Sequence, residues 1–465
     1  MELIKLDYRE IFVFSCLFII NVLLMSSPLS FVVTAIQALT IFYLLYRDRV
    51  HDAAFWHFIF IMTSFAVSGG DDEIVLKTGY FSTKLIGPVT LSYLISIIIL
   101  LFTFNKTQTR SSLGIFSKML RVFVYFMVSG VFFGAIGCLF KDYFINTFIA
   151  YTVYITIIIV HILILKNLSN EFFIRKCYKS VISILIAALF STIFNWAIGL
   201  RSEYSIYEMT ISSAVADFSI LLFLFLPQFK NKILVLILLL GHLFVLITTG
   251  ASGKFFLNAG VVGIAFVFSL IKQKGFNFSY LLALGVFALL LGSNLIVEDS
   301  LFSRKLNQFL SLGSLASGSV EDVGTSPYIR VASLLNIYLE NIKNPLYFIF
   351  GRGYGGYFQD SLGLFEGWDL SEGAFADDAI RLGKFPTAHT TFNMVPLLNG
   401  FVGLFLVFKL VWSYFKRSIT GSPLALTAVL WLLFMFYFNI QIGIIGVFLL
   451  YASEYNQQIN IIKTE

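Results

Sequence analysis

The chain is built from apolar runs long enough to cross a bilayer, joined mostly by short polar links. A spanning helix needs about 20 apolar residues, with a range of about 17–25. Such runs fall near 10–26, 29–46, 54–68, 85–104, 120–140, 148–165, 180–200, 210–226, 233–249, 255–271, 279–296, 394–415, 422–437 and 440–454. The last two have no polar joint between them, so the count is about 12–14 spans. Lipid offers no partner to a bare peptide group, so each run must fold as a helix. Composition agrees, with 58% hydrophobic and 12% charged residues, where soluble domains have about 45–50% and about 25%. The expected fold class is an all-α polytopic membrane protein.

Charge sets an orientation. With the N-terminus in the cytoplasm, the inner links hold Lys5, Arg9, Arg47, Arg49, Lys106, Arg110, Lys118, Arg121, Lys166, Arg175, Lys176 and Lys179. Lys230, Lys232, Lys272, Lys274, Lys416, Arg417 and Lys463 continue the series. The short outer links hold Lys77, Lys84, Lys141, Arg201 and Lys254. This positive-inside alternation accounts for the formal charge of +6 without nucleic acid. Cys16 and Cys138 lie in apolar runs and Cys177 in a basic link, so no disulfide framework is readable. The first run lacks a small-residue cleavage site and reads as a retained helix.

One link breaks the pattern of short joints. It divides the chain into an N-terminal bundle (1–296), a large outer loop (297–393) and C-terminal helices with a cytoplasmic tail (394–465). Long links are uncommon in compact folds unless functional. Within this one, SPYIRVASLLNIYLENIKNP predicts a helix capped by Ser326, with Pro327 at its first position and Pro345 after its end. Val331, Leu334, Leu335, Tyr338 and Ile342 form its apolar stripe. FGRGYGGYF reads as a glycine-rich turn, and the remainder to Pro386 as acidic and irregular.

Five histidines are present. His51 and His57 are expected at the cytoplasmic end of the third span, and His161 and His242 within spans. His389 alone belongs to the outer face, where the loop meets the membrane in AHTTFNMVPLLNGFVG. An imidazole there suits a general base, and it equally suits a helix end. Outer cations run against the positive-inside tendency, and they include Arg201, Lys254, Arg304, Lys305, Arg330, Arg352, Arg381 and Lys384. Arg330 falls in the first turn of the expected loop helix, where the dipole favours an anion and a guanidinium fork matches phosphate. Lys254 follows the glycine-spaced TTGASGK at the start of a span. The acids Asp71-Asp72-Glu73 and Asp377-Asp378 offer oxygen ligands, though solvation accounts for them equally, and no metal is assigned. Asp217 and Lys409 are the main charges placed within spans.

Three stretches together resemble the O-antigen polymerase and O-antigen ligase superfamily of bacterial membrane glycosyltransferases. HTTFNMVPLLNGFVG supplies a histidine, His389, followed at fixed distance by Gly400 and Gly403. SPYIRVASLLNIYLENIKNPLYFIFGRG supplies Arg330 opening a loop helix, then Gly351 and Gly353. TTGASGKFFL places Lys254 where such proteins carry an arginine, and Thr390 follows His389 where they carry asparagine. The resemblance spans roughly residues 232–415.

It implies a GT-C-like bundle in the bacterial cytoplasmic membrane. The donor and acceptor would be oligosaccharides on polyprenyl diphosphate, and a chain-length regulator is a candidate partner. No cofactor, nucleotide sugar or nucleic acid is implied. His389 would act as base and Arg330 would stabilise the leaving diphosphate. Lys254, Arg352, Arg201 and Arg381 would bind substrate. A polymerase is favoured over a ligase. A polysaccharide flippase is the competitor from another class, and a metal-dependent oligosaccharyltransferase-like enzyme would need acids in a first outer loop that has none.

Overall fold

A computed structural model describes residues 5–24, 27–64, 79–104, 114–168, 170–199, 214–219, 222, 226, 229–248, 325–368, 370, 375–388, 390–420, 437 and 440–462. The structure is mostly helical. The helices are α1 (Tyr8–Leu24), α2 (Leu29–Tyr46), α3 (Val50–Thr63), α4 (Leu91–Phe104), α5 (Gly114–Phe140), α6 (Ile145–Asn167), α7 (Glu171–Ala197), α8 (Ala214–Phe218) and α9 (Lys232–Thr248). The C-terminal part holds α10 (Thr325–Ile342), α11 (Pro345–Phe350), α12 (Asp377–Leu382), α13 (Thr391–Thr420) and α14 (Ile440–Ile462). Strands β1 (Lys84–Ile86) and β2 (Val89–Thr90) form a small hairpin before α4.

Among the described residues, five helices are long and apolar enough to cross a membrane: α2, most of α5, α6, α7 and most of α13. Residues of α4, α9 and α14 form shorter apolar helices. The expected spans at 255–271 and 279–296 lie outside the described residues, as does all of the one at 422–437 except Tyr437. Of the expected span at 210–226, the described helical segment is α8. Several boundaries differ from expectation: α5 and α7 begin at Gly114 and Glu171, before the expected 120 and 180. The span expected from 85 starts at Leu91, because Gly87, with φ at +53°, turns the chain into the hairpin first. The span expected at 54–68 is α3, whose helix ends at Thr63.

Packing is organised around α7, which contacts α1, α8, α9 and α14. Its start is fixed locally: the Asn170 side chain accepts from Phe173 N at 2.7 Å, and Glu171 occupies the first turn. Helices α5 and α6 pair, α14 fills the space between α3, α6 and α7, and α13 lies against α5.

Two polar clusters lock this apolar bundle. The first closes α3, whose last carbonyls have no partner inside the helix. Gln441 of α14 donates to Ile61 O at 2.7 Å and Ser64 O at 3.0 Å, and Asn21 of α1 donates to Thr63 O at 2.9 Å. The second joins α3, α4 and α6. His57 is buried halfway along α3, not at its end, because the helix begins as early as Val50.

The proton positions in the second cluster follow from the acceptors. His161 Nδ1 lies 2.7 Å from the Ile157 carbonyl, which can only accept, so Nδ1 carries the proton and Nε2 is bare. Ser96 donates to Ser92 O at 2.7 Å. His57 Nε2, 2.8 Å from Ser96 Oγ and 3.3 Å from His161 Nε2, is therefore the donor of that group. His57 Nδ1 then accepts from the Tyr80 hydroxyl at 2.7 Å. The two rings are nearly parallel at 11° with centroids 5.5 Å apart, so they meet edge to edge around one shared proton position.

Replacing Gln441 by leucine removes the side-chain donor to Ile61 O and to Ser64 O just after α3. We expect a loss of about 1–2 kcal/mol, read as a lower thermal unfolding midpoint in detergent. An unchanged midpoint would remove Gln441 from the account of how α3 ends.

Candidate functional site at the broken helix

The helix α13 is not continuous. Gly400 has φ at +63° and ψ at −164°, which divides it into a first half from Thr391 and a longer half beyond the break. Thr390 starts the first half as its N-cap, its Oγ1 accepting from Asn393 N at 3.2 Å. The helix thus begins three residues before the expected 394. A helix that ends inside a protein leaves four carbonyls without intrahelical donors. Here they belong to Pro396, Leu397, Leu398 and Asn399, and each meets a donor from outside α13. Asn341 Nδ2 reaches Pro396 O at 3.0 Å, and the Tyr125 hydroxyl reaches Asn399 O at 3.3 Å. Arg352 N and Gly353 N reach Leu397 O and Leu398 O at 2.8 and 3.0 Å.

The last two donors come from the glycine-rich turn after α11. Gly351, Gly353 and Gly355 all have φ near +80°, as the turn requires. Space matters as much as angle. A Cβ on Gly351 would stand 2.4 Å from Asn399 N, and one on Gly400 2.4 Å from Gly351 N. A Cβ on Gly353 would stand 2.1 Å from Gly134 N of α5. The buried Tyr354 completes the seam, donating its N–H to Gly130 O at 2.8 Å and its hydroxyl to Phe126 O at 2.9 Å. Gly130, Gly134 and Gly137 of α5 form the face that receives the turn and the Tyr143 ring. Their spacing inside an apolar helix is the small-residue signature of close packing, legible in the sequence of α5.

Arg330 lies beside this seam. Asn393 of α13 donates to its backbone carbonyl at 2.8 Å, tying the loop helix to the start of the broken helix. The Arg330 side chain is exposed. Protein around the guanidinium draws its pKa below the ordinary value through desolvation, yet arginine stays charged. One expectation is corrected: α10 starts at Thr325, so Arg330 sits in the second turn, where the helix dipole contributes less.

The buried face of α10 is also not the expected apolar stripe. Ile329, Ala332, Ser333, Asn336, Ile337 and Asn341 face inward, while Leu335 and Ile342 are 50% and 63% exposed. The polar members are buried because partners await them. Asn336 donates to Asp360 Oδ1 at 2.8 Å and accepts from Leu362 N at 3.2 Å. Asp360 in turn accepts from the N–H groups of Leu364 and Phe365 at 2.9 and 2.7 Å. Pro345 does not simply follow a helix. It opens α11, capped by Asn344, which accepts from Leu346 N at 3.1 Å.

The segment expected to be irregular has its own core. Phe358, Phe365, Phe375 and Phe385 cluster, and Phe358 and Phe385 exchange backbone hydrogen bonds at 3.1 and 2.9 Å. Trp368 stacks on Tyr328 of α10, centroids 4.2 Å apart.

The other sequence candidates divide. Arg352 is bound into the scaffold: Nη2 pairs with Glu340 at 2.7 Å, Nη1 donates to Tyr357 O at 2.6 Å and Nε reaches Asn341 Oδ1 at 3.4 Å. Both partners of the ion pair are about nine-tenths buried. Arg381 pairs with Asp378 at 2.9 Å on the open surface of α12, where such a pair adds little. Lys409 lies on an exposed face of α13. His389, one residue before the Thr390 cap, lies outside the described residues, as do Lys254, Arg201 and Asp71-Asp72-Glu73.

Two positions with the same backbone angle test the seam. Gly353 and Gly367 have φ of 80° and 79°, but a Cβ on Gly367 meets nothing within 4 Å. Gly367→Ala should cost only the strain of a left-handed residue, about 1–2 kcal/mol. Gly353→Ala adds a collision with backbone and should cost at least about 1–3 kcal/mol more; equal thermal midpoints for the two variants would contradict the close packing. Arg352→Ala should lose about 3–5 kcal/mol by leaving Glu340 buried without its partner, read by the same melt, whereas a purely substrate-binding arginine would leave the midpoint unchanged. Compared with family models, curated proteins and solved structures, the chain matches none.

Proposed function

We propose that the chain is a polysaccharide polymerase on the outer face of the bacterial cytoplasmic membrane. It would transfer glycan from a polyprenyl-diphosphate-linked donor to a sugar hydroxyl of a second lipid-linked repeat unit. The carrying observation is the hydrogen bond from Asn393 to the Arg330 carbonyl. It joins the loop helix bearing Arg330 to the stretch that begins at His389, and the glycine turn packs against Gly400 on the same helix. The Arg330 helix, the glycine turn and the helix that follows His389, which carry two of the three resembling stretches, are thus neighbours in space, which supports this reading.

In the reaction, the acceptor hydroxyl attacks the anomeric carbon of the donor and its bond to the diphosphate breaks. His389 takes the hydroxyl proton, which requires contact within about 3 Å. Negative charge grows on the departing diphosphate, where the fixed charge of Arg330 lowers the barrier. Both substrates carry lipid tails, so the chemistry belongs where a structured loop meets the bilayer. A ligase of the same superfamily would use the same donor and differ only in its acceptor.

Removing a base typically costs about 10²–10⁴-fold in rate. His389→Ala and Arg330→Ala are each expected to abolish long-chain polysaccharide on a gel while the protein still inserts. Wild-type chain lengths from either variant, at matched membrane levels, would remove that residue from the mechanism.

A further inference from the structure

At the opposite end of α10 from Arg330 lies a group of cations and tyrosines that the proposed chemistry does not use. The Lys141 ammonium, in the link between α5 and α6, donates to the Tyr347 hydroxyl of α11. Tyr143 shares a hydrogen bond with Tyr347, and its ring meets that of Tyr357 edge-on, centroids 5.7 Å apart. Lys384 lies over the Tyr357 ring at 4.9 Å and the Arg352 guanidinium over the Tyr347 ring at 5.1 Å. Arg352 is neutralised by Glu340, so Lys141 and Lys384 supply the free positive charge, against the exposed Asp142. Burial works to raise the Tyr347 pKa, but the Lys141 ammonium and the Tyr143 hydroxyl outweigh it and hold the phenol below its ordinary value. A more acidic phenol is a stronger hydrogen-bond donor, so the group favours an anionic acceptor at the Tyr347 hydroxyl.

The surroundings say what kind of anion fits. Leu139 and Phe140, immediately before Lys141, are 75% and 78% exposed. Ile145 follows on the other side, and Leu346 and Ile342 flank Tyr347, all more than half exposed. Exposed apolar surface on each side of a cation, with tyrosines beside it, is the pattern of a membrane boundary. A soluble anion gains nothing from that apolar rim, whereas an amphiphile buries its chain against it.

We propose that Lys141, Tyr143 and Tyr347 form a second headgroup site, which takes the phosphate of a lipid-linked acceptor. The ammonium and the two phenols would donate to the phosphate oxygens. This inference rests on the polymerase reading, because a polymerase must hold two lipid-linked chains at once. The spacing suits that need: Arg330 and Asn341, the residue that meets Arg352, are separated by about 16 Å of helix at 1.5 Å per residue. One headgroup would sit at each end of α10, and the glycans would meet above it.

The test is binding rather than turnover, so it stands apart from the polymerase reading. The full chain in nanodiscs, carrying Arg330→Ala to remove the first site, is titrated with a polyprenyl monophosphate and followed by native mass spectrometry. One lipid phosphate should remain bound. Adding Lys141→Gln should weaken it by about tenfold or more, the effect of losing one charged hydrogen bond. Tyr347→Phe should weaken it severalfold, and Lys141→Arg should retain it. Lys141 is exposed, so its variants should melt with the parent. Unchanged affinity in Lys141→Gln would overturn the site, and so would inorganic pyrophosphate binding as tightly as the lipid.

Discussion

The structure turns on four carbonyls. Breaking a helix at Gly400 within an apolar run is ruinous unless every peptide group freed by the break finds a partner. Those of Pro396, Leu397, Leu398 and Asn399 do so through the side chains of Asn341 and Tyr125 and the backbone of Arg352 and Gly353. Three separate parts of the chain are thereby obliged to meet: α5, the end of α10 and the turn after α11. The left-handed glycines follow from this constraint, since a side chain at Gly351, Gly353 or Gly400 would collide with backbone across the seam. So does the position of Arg330, held through Asn393 on the first half of the same helix.

The same constraint changes the meaning of the long link between the bundle and α13. It is fastened to the bundle by backbone hydrogen bonds, by the Arg352–Glu340 ion pair and by a phenylalanine core, which are the marks of a structural part. Its described portion therefore acts as a fixed rim of the candidate site. Helix α10 buries polar residues that have partners and turns Leu335 and Ile342 outward. An apolar face left open beside a membrane bundle is suited to contact with lipid or with a lipid-borne substrate.

Much of this was legible in the sequence, for identifiable reasons. Runs of apolar residues mark helices because lipid leaves no alternative, so α2 and α6 lie close to where hydropathy puts them, while α7 begins nine residues early at its Asn170 cap. Pro345 and the glycine-rich stretch marked a change of direction. What could not be read was pairing. Nothing local announces that Asn341 and Gln441 serve carbonyls far away in the chain, or that Arg352 belongs to Glu340. The stripe on α10 misled because amphipathic periodicity assumes that apolar means inward, whereas here Asn336 and Asn341 turn inward to partners far along the chain. His57 was displaced for a simpler reason: α3 begins at Val50, four residues before the apolar run does.

Arg330, His389 and the helix break together form the proposed site of glycan transfer between lipid carriers. The most direct test is purified protein in nanodiscs supplied with synthetic lipid-linked repeat units and no other enzyme. A ladder of products, each longer by one repeat and formed with release of the polyprenyl diphosphate, is the predicted result. Folded protein that binds the repeat units yet yields no dimer or longer product would contradict the account.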